Sequence, residues 1–136
     1  LPRGLVHGDI FFDNVLFENN KIKAIIDFEE ACNYYLIFDL GMGILGLCRT
    51  GGKIDLNKAR SLIKGYEQIR FLGFPERDSL QLFIEYAAIA TSWWRFWKYN
   101  IHSPNPDLRN KHWKMVQVAK EVEILDKKHF LSIVFE

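Results

Sequence analysis

Cysteine is scarce in this sequence: only Cys32 and Cys48 are present, and the four histidines do not cluster with them. This spacing excludes a zinc site or a disulfide scaffold and favours reduced thiols in a cytoplasmic protein. Long apolar runs are also missing, since no run reaches the length of about 18 residues typical of a membrane helix. The first residues do not form a signal peptide either. We therefore expect a cytoplasmic protein that is not inserted in a membrane.

A strong excess of one charge is absent as well. The 18 basic and 17 acidic side chains give a formal net charge of +1. Such a balance gives no electrostatic reason to expect nucleic acid or an anionic membrane as a partner. A chain of 136 residues fits one domain, which is large enough to bury about two-thirds of its unfolded surface. The function must therefore be sought in local motifs.

A carboxylate, an amide and a second carboxylate occur at fixed spacing near the start of the chain. Asp9 follows His7-Gly8, Asn14 comes shortly after it, and Asp27 precedes Phe28. Transfer of a γ-phosphoryl group from Mg·ATP to a hydroxyl needs a base for the hydroxyl proton and oxygen ligands for magnesium. The pattern H-x-D-x-x-x-x-N with a later D-F predicts this chemistry, with Asp9 as the base and Asn14 and Asp27 as metal ligands.

A predicted hairpin explains how these residues meet. Two β-type runs, 14–17 and 22–26, flank a turn with two asparagines, which tolerate the positive φ of tight hairpins. Folding about this turn places Asp27 opposite or nearly opposite Asn14. Two protein oxygens suffice there, because Mg²⁺ also binds phosphate oxygens and water. A surface hairpin with incidental acidic residues explains the turn, but not the clustering of the polar groups at one end.

These motifs resemble the C-terminal lobe of the aminoglycoside phosphotransferase and choline kinase-like superfamily, which shares its phosphoryl-transfer apparatus with protein kinases. The resemblance implies an α+β fold, mostly helical with a small catalytic β-hairpin, and ATP and Mg²⁺ as cofactors. It also implies that His7 braces the catalytic loop instead of reacting, and that Asp39 anchors the backbone of that loop. An ordinary carboxylate at a helix start, favoured by the helix dipole, is a compatible reading of Asp39.

Within this superfamily the sequence is similar to homoserine kinases over residues 1 to about 125. The likeness is carried by Leu1-Pro2-Arg3-Gly4, Ala31-Cys32-Asn33, Gly65-Tyr66-Glu67-Gln68-Ile69-Arg70, Ala87-Ala88 and Arg95-Phe96-Trp97. It implies a small amino-alcohol as the acceptor, with L-homoserine as the first choice. Glu29 and Glu30 depart from the aromatic residues expected in homoserine kinases, so choline, ethanolamine or aminoglycoside kinases are alternatives. A non-catalytic kinase-like binding module is a further alternative.

Four residues are candidates for binding the acceptor. Trp93 and Arg95 cannot share the apolar face of their predicted helix, and we expect them to point into the acceptor cleft. Arg95 would bind a carboxylate through its planar guanidinium, with a structural salt bridge as the alternative. Glu29 and Glu30 would bind a cationic amine, and Glu29 could instead help to organise a second magnesium ion. Solvated loop carboxylates are the alternative for both.

Helical spacing dominates the remaining sequence. Asp55 is the predicted N-cap of one helix, Trp94 and Trp97 are predicted to be core residues, and Gly51-Gly52 is predicted to end a helix in a connector. The other predicted helices cover residues 34–47, 75–99 and 107–125.

A nucleotide-binding lobe is not expected within these residues. Only six residues precede His7 and none of them is a lysine, whereas a kinase needs a strand lysine on the α- and β-phosphates. Because the chain begins with Leu1 and not with methionine, we expect residues 1–136 to be the C-terminal catalytic and substrate lobe of a longer phosphotransferase. Its partner would be the N-terminal lobe of the same protein, and we expect the isolated chain to be inactive.

Overall fold

The computed structural model describes residues 1–136, which form an α+β fold, in agreement with the predicted class. The helices are α1 (Leu36–Leu47), α2 (Leu56–Glu67), α3 (Phe74–Trp97), α4 (Trp113–Glu123) and α5 (Lys127–Phe135). Three two-stranded antiparallel sheets pair β1 (Arg3–Val6) with β4 (Cys32–Tyr35), β2 (Val15–Glu18) with β3 (Lys21–Ile25), and β5 (Arg49–Thr50) with β6 (Lys53–Ile54). A 3₁₀ turn (Phe12–Asn14) precedes β2 and a π-helical turn (Lys98–His102) extends α3. None of the helices combines the length and the apolar character needed to cross a bilayer.

Helix α3 lies at the centre of the helical core. It packs against α1 on one side and α4 on another, while α2 packs against α5. Ile44 and Ile84 are fully buried between these elements, and burial of each such side chain stabilises the fold by about 1.5–3 kcal/mol. A Cβ atom on Gly41 would lie 2.8 Å from the carbonyl oxygen of Phe83, so glycine allows α1 to approach the backbone of α3. This close packing fixes α3 relative to the loops that follow β1.

The first predicted helix is shorter than expected at its start. Tyr34 and Tyr35 belong to β4, where they pair with Gly4 and Arg3 of β1, and α1 begins only after them. Aromatic residues suit a half-buried sheet surface, so strand pairing prevails over the apolar pattern that favoured a helix from residue 34. The loop that begins at His7 therefore starts at the end of the β1–β4 pair.

Two further connections differ from the predictions. Gly51 and Gly52 have φ values of 61° and 89° and form the turn of the β5–β6 hairpin, so they do not end a helix, which has Cys48 as its C-cap. The predicted last helix begins later than expected, at Trp113, because residues 103–112 form loops and turns. A separate helix, α5, was not predicted, although Asp126 caps it by accepting a hydrogen bond from His129 N at 2.8 Å.

The predicted cap of α2 is confirmed. The side chain of Asp55 accepts hydrogen bonds from Asn57 N at 3.1 Å and Lys58 N at 3.2 Å. The hydroxyl of Thr50 donates to the same carboxylate at 2.9 Å, and this bond is the main reason why the pKa of Asp55 lies below its usual value. A cap of this kind satisfies amides that have no partner within the helix.

Candidate active site

Asp39 fixes the loop that follows β1. Its carboxylate oxygens accept hydrogen bonds from two consecutive amides, His7 N at 2.6 Å and Gly8 N at 2.8 Å. Asp39 lies in the first turn of α1, and the strand before the loop is held by β4. The backbone that leads to Asp9 is therefore attached both to a helix and to a sheet.

His7 uses both ring nitrogens within the protein. Nε2 lies 2.9 Å from the carbonyl oxygen of Ile26, and Nδ1 lies 3.2 Å from the backbone nitrogen of Asp9. The tautomer with the proton on Nε2 satisfies both contacts, because the carbonyl can only accept and the amide can only donate. The buried ring also packs on Phe28, with centroids 4.5 Å apart. His7 thus connects the loop to the segment after β3 and has no free nitrogen for a substrate proton.

Asn14 orients the half-buried carboxylate of Asp9. Its Nδ2 donates to Oδ2 and to the backbone carbonyl oxygen of Asp9, each at 2.9 Å, whereas Oδ1 of Asp9 has no protein partner. Burial raises the pKa of Asp9, and the charges of Asp13 and Asp27 add to this effect, while the Asn14 hydrogen bond opposes it. A carboxylate with a raised pKa accepts a proton more readily than an exposed one.

The β2–β3 hairpin has the predicted position and turn. Asn19 and Asn20 occupy its two central positions with φ values of 49° and 59°. Positive φ at both residues is the mark of a type I′ turn, whose twist matches that of the two strands. The predicted strands 14–17 and 22–26 agree with β2 and β3 to within one residue at each end.

Asp27 follows the second strand of this hairpin and lies close to Asn14. The amide of Ile26 donates to the carbonyl oxygen of Asn14 at 3.0 Å, so the ladder continues one residue beyond the pair Val15–Ile25. Asp27 follows with a φ of 66°, a left-handed conformation that costs an L residue about 1–2 kcal/mol and that aspartate tolerates better than most. The open end of the hairpin therefore carries an amide just before β2 and a carboxylate just after β3.

The donor atoms at the open end of the hairpin fit a magnesium ion that is bound together with phosphate. Oδ1 of Asn14 accepts no hydrogen bond from the protein, and Asp27 takes part in none of the four salt bridges. Such oxygens suit Mg²⁺, which is usually held by one or two protein ligands plus substrate phosphates. The chain has no group of three or more Asp, Glu, His or Cys side chains that could hold a metal by themselves. Phosphate oxygens would have to complete the coordination.

A cavity of about 610 Å³ joins these groups to the end of α3. Its volume is in the range of small-molecule sites. One part of the lining, here called the acidic wall, includes Asp9, Asp13, Asn14, Asp27, Glu29 and Glu30. Another part, here called the basic wall, includes Trp94, Arg95, Lys98, Tyr99 and Lys111. A cavity lined by groups of both charges favours a ligand with charge of both signs.

The structure separates the two candidates on α3. Arg95 lines the cavity, whereas Trp93 does not; its side chain is 63% exposed and packs on Phe96. Trp94, which was predicted to be core, lines the cavity instead, and Trp97 borders a smaller pocket next to it. A stripe of large aromatic residues has the same spacing whether it faces a core or a cavity, so sequence alone could not distinguish the two.

Arg95 has no carboxylate partner within the protein. It forms none of the four salt bridges, which leaves the structural ion pair considered above unsupported. Burial lowers the pKa of Arg95 and the charge of Arg49 lowers it further, while Asp13 and Asp9 act in the opposite direction. A half-buried guanidinium without a partner is a position at which an anionic group of a ligand can bind.

Glu29 and Glu30 line the main cavity and also a second pocket of about 310 Å³. This second pocket is also lined by Trp94, Trp97, Lys98 and His102, and no Lys or Arg forms a salt bridge with either glutamate. The two carboxylates are therefore free to meet a cationic group in the cavity.

Two lysines on the basic wall were not identified from the sequence. Lys98 continues the helical spacing of Thr91, Trp94 and Arg95, so extension of that stripe beyond the predicted apolar residues would have found it. Lys111 lies in the loop before α4, and no local pattern connects it with α3. Only the folded chain brings it to the cavity.

Known proteins resemble this chain in sequence over part of its length. Residues 1–72 match the phosphotransferase enzyme family. The homoserine kinase of Sinorhizobium medicae is 34% identical over 90 residues, which cover 65% of this chain and 28% of that protein. The homoserine kinase of Parvibaculum lavamentivorans is 32% identical over 112 residues, which cover 82% of this chain and 35% of that protein. The homoserine kinase of Gluconacetobacter diazotrophicus is 39% identical over 89 residues, which cover 65% of this chain and 28% of that protein. The chain thus spans about a third or less of the length of these curated relatives.

Proposed function

Because the chain belongs to the phosphotransferase enzyme family, we propose that it carries the catalytic half of a kinase that phosphorylates the hydroxyl of a small amino-alcohol, L-homoserine in the first place. The observation that carries this proposal is the convergence of Asp9, Asn14 and Asp27 on one cavity that is also lined by Arg95, Lys98 and Lys111. The likeness to homoserine kinases supports the choice of acceptor.

In this mechanism Asp9 is the base. Its Oδ2 is held by Asn14, and its Oδ1 accepts the proton of the acceptor hydroxyl as the oxygen attacks the γ-phosphorus of ATP. The bond between the γ-phosphorus and the bridging oxygen breaks, and ADP leaves with that oxygen. Asp39 and His7 keep the loop in place and do not touch the substrate. Asn14 and Asp27 would hold Mg²⁺, which neutralises the charge of the phosphates when it is bound.

The two charged walls orient the acceptor in this proposal. Glu29 and Glu30 bind its ammonium group, and Arg95 binds its carboxylate from the end of α3. A choline, ethanolamine or aminoglycoside acceptor is the second candidate. Glu29 and Glu30 support it, because these alcohols are cationic, but they carry no carboxylate that Arg95 could bind.

We further propose that this chain is the C-terminal lobe and works with an N-terminal nucleotide-binding lobe of the same cytoplasmic protein. Support comes from the coverage of the relatives, each of which is much longer than the matched region. That lobe would supply the lysine that binds the α- and β-phosphates. Neither nucleic acid nor a membrane is needed for this reaction.

Turnover of a panel of alcohols tests the function directly. A protein carrying both lobes, supplied with Mg·ATP, should phosphorylate L-homoserine faster than choline, ethanolamine or an aminoglycoside. Preference for one of the latter would select the second candidate. Binding of these alcohols without turnover of any would favour a non-catalytic binding module.

Replacement of Asp27 by alanine should increase the magnesium requirement of the reaction. We expect the concentration of Mg²⁺ at half-maximal rate to rise by at least about tenfold, because one charged ligand is lost. A titration of turnover with Mg²⁺ at fixed ATP measures the change. Asp107→Ala, at an exposed position in the loop before α4, is the control. An unchanged magnesium dependence would remove Asp27 from the metal site.

Replacement of Arg95 by lysine should weaken acceptor binding with little effect on folding. Lysine keeps the charge but loses the planar fork that makes two hydrogen bonds to a carboxylate. We expect the KM for homoserine to rise by about tenfold, the size of one lost charge-assisted hydrogen bond, while the KM for ATP stays constant. Arg109→Lys, at an exposed position, provides the matched control. If the KM for homoserine does not change, Arg95 does not bind the acceptor.

A further inference from the structure

Two lysines face the cavity without an acidic partner in the protein. Lys98 is the first residue of the π-helical turn that extends α3, and Lys111 lies in the loop before α4. Both side chains line the same cavity as Asp9 and Arg95, and neither takes part in a salt bridge. An anionic group of a ligand can therefore reach either lysine without breaking an ion pair of the protein.

Aromatic rings hold both ammonium groups at the basic wall. The Nζ of Lys98 lies 4.3 Å from the centre of the Trp94 ring, and the Nζ of Lys111 lies 6.0 Å from that of Tyr99. Such cation–π contacts position the charge but do not use its three N–H donors. Each ammonium group can therefore donate hydrogen bonds to an anion in the cavity.

The π-helical turn supports this arrangement. Ser103 N donates to the carbonyl oxygen of Lys98 at 2.8 Å, which closes a turn wider than that of an α-helix. Turns of this kind are frequent at functional sites. Here the turn keeps Lys98 and Tyr99 on the cavity wall together with Trp94 and Arg95.

The position of the lysines indicates which group they meet. Asp9 marks the place of the acceptor hydroxyl, and Lys98 borders, together with Glu29 and Glu30, the smaller pocket next to the main cavity. An acceptor whose ammonium group binds the glutamates and whose anionic group binds the lysines must carry both charges close together. An α-amino acid meets this requirement, because its ammonium and carboxylate groups are attached to one carbon atom and the carboxylate accepts hydrogen bonds from several donors at once.

We propose that Lys98 and Lys111 bind the carboxylate of the acceptor and make the protein select hydroxy-amino acids over amino-alcohols that lack a carboxylate. This inference rests on the proposed phosphotransferase function and assigns the discrimination between acceptors to two residues beyond Arg95. A phosphoryl group of the nucleotide is the competing anion, and the experiment separates the two.

The test compares L-homoserine with 3-aminopropan-1-ol, which is the same molecule without the carboxylate. Lys98→Met and Lys111→Met remove the charge and retain an unbranched side chain that can still pack on Trp94 or Tyr99. In a protein with both lobes, we expect each variant to raise the KM for homoserine by about tenfold, while KM for 3-aminopropan-1-ol and for ATP change less than about twofold. Lys98→Arg, which keeps the positive charge that Lys98→Met removes, should retain most of the homoserine affinity.

Lys114→Met, at an exposed position of α4, is the matched control and should leave all three KM values unchanged. Equal losses for both acceptors, or a KM for ATP that rises instead, would overturn the carboxylate assignment. So would a wild-type protein that uses both alcohols equally well. Failure of the wild type to phosphorylate either alcohol would refute the phosphotransferase function itself, which is a different result from intact turnover without selectivity.

Discussion

Replacement of Asp9 by asparagine should lower kcat by about 10²–10⁴-fold, the range in which a positioned general base contributes. The substitution keeps the shape of the side chain and an oxygen that can still accept the hydrogen bond from Asn14 Nδ2. Loss of turnover would therefore reflect the missing proton acceptor and not a displaced loop. Steady-state kinetics with saturating Mg·ATP and homoserine measure the effect, and thermal unfolding checks the fold.

The pH dependence distinguishes a base from a structural carboxylate. Asp9 accepts a proton only when it is ionised, and burial raises its pKa above the usual value. Activity should therefore fall on acidification through a pH range above the ordinary aspartate pKa of about 3.9, and Asp9→Asn should lose this acidic limb. Asp107→Asn, at an exposed position, should retain the wild-type rate and profile. Near-normal turnover of Asp9→Asn would reject the proposed mechanism.

Replacement of Gly46 by alanine should disrupt the catalytic loop, although alanine normally stabilises a helix relative to glycine by about 1 kcal/mol. A Cβ atom on Gly46 would lie 2.1 Å from the carbonyl oxygen of Ile10 and 2.8 Å from the Cα atom of Phe11. Both neighbours are backbone atoms of the segment directly after Asp9, so relief of the overlap must shift that segment or α1. We expect a loss of about 1–3 kcal/mol in the free energy of unfolding.

The same shift should lower turnover by about 10²-fold, because a displacement of about 1 Å of a reacting group has effects of this size. Gly65→Ala is a matched control: Gly65 lies in α2, and a Cβ atom there would have no neighbour within 4 Å. Urea unfolding and kcat should show the contrast, with Gly65→Ala as stable as the wild type or more so. If both variants behave alike, α1 does not support the loop through this contact.

Local sequence signals account for the parts of the site that depend on neighbouring residues. The hairpin was predictable because Asn19 and Asn20 tolerate the backbone that a type I′ turn requires, and its position determines that Asp27 emerges beside Asn14. The cap at Asp55 was predictable for the same reason, since a short side chain forms bonds with amides two and three residues away.

Features that depend on tertiary contacts were not predictable in this way. The helical spacing of Trp94 and Trp97 indicated a buried face but could not show that the face borders a cavity. Tyr34 was assigned to a helix because its pairing with Gly4 joins residues that are remote in sequence. Lys111 reaches the cavity only through the fold of the loop before α4, and its contact with Tyr99 spans a break between helices.

The pairing of β1 with β4 has a consequence for how the protein loses activity. The segment between these strands contains the proposed base and both proposed metal ligands, and its two ends meet at the pair Val6–Cys32. Separation of the two strands by heat or denaturant removes one of the two attachments of this segment and leaves only the bonds from His7 N and Gly8 N to Asp39 of α1. Partial unfolding at this strand pair should therefore lower turnover while most of the helical circular dichroism signal persists, because the core of α1, α3 and α4 is built elsewhere.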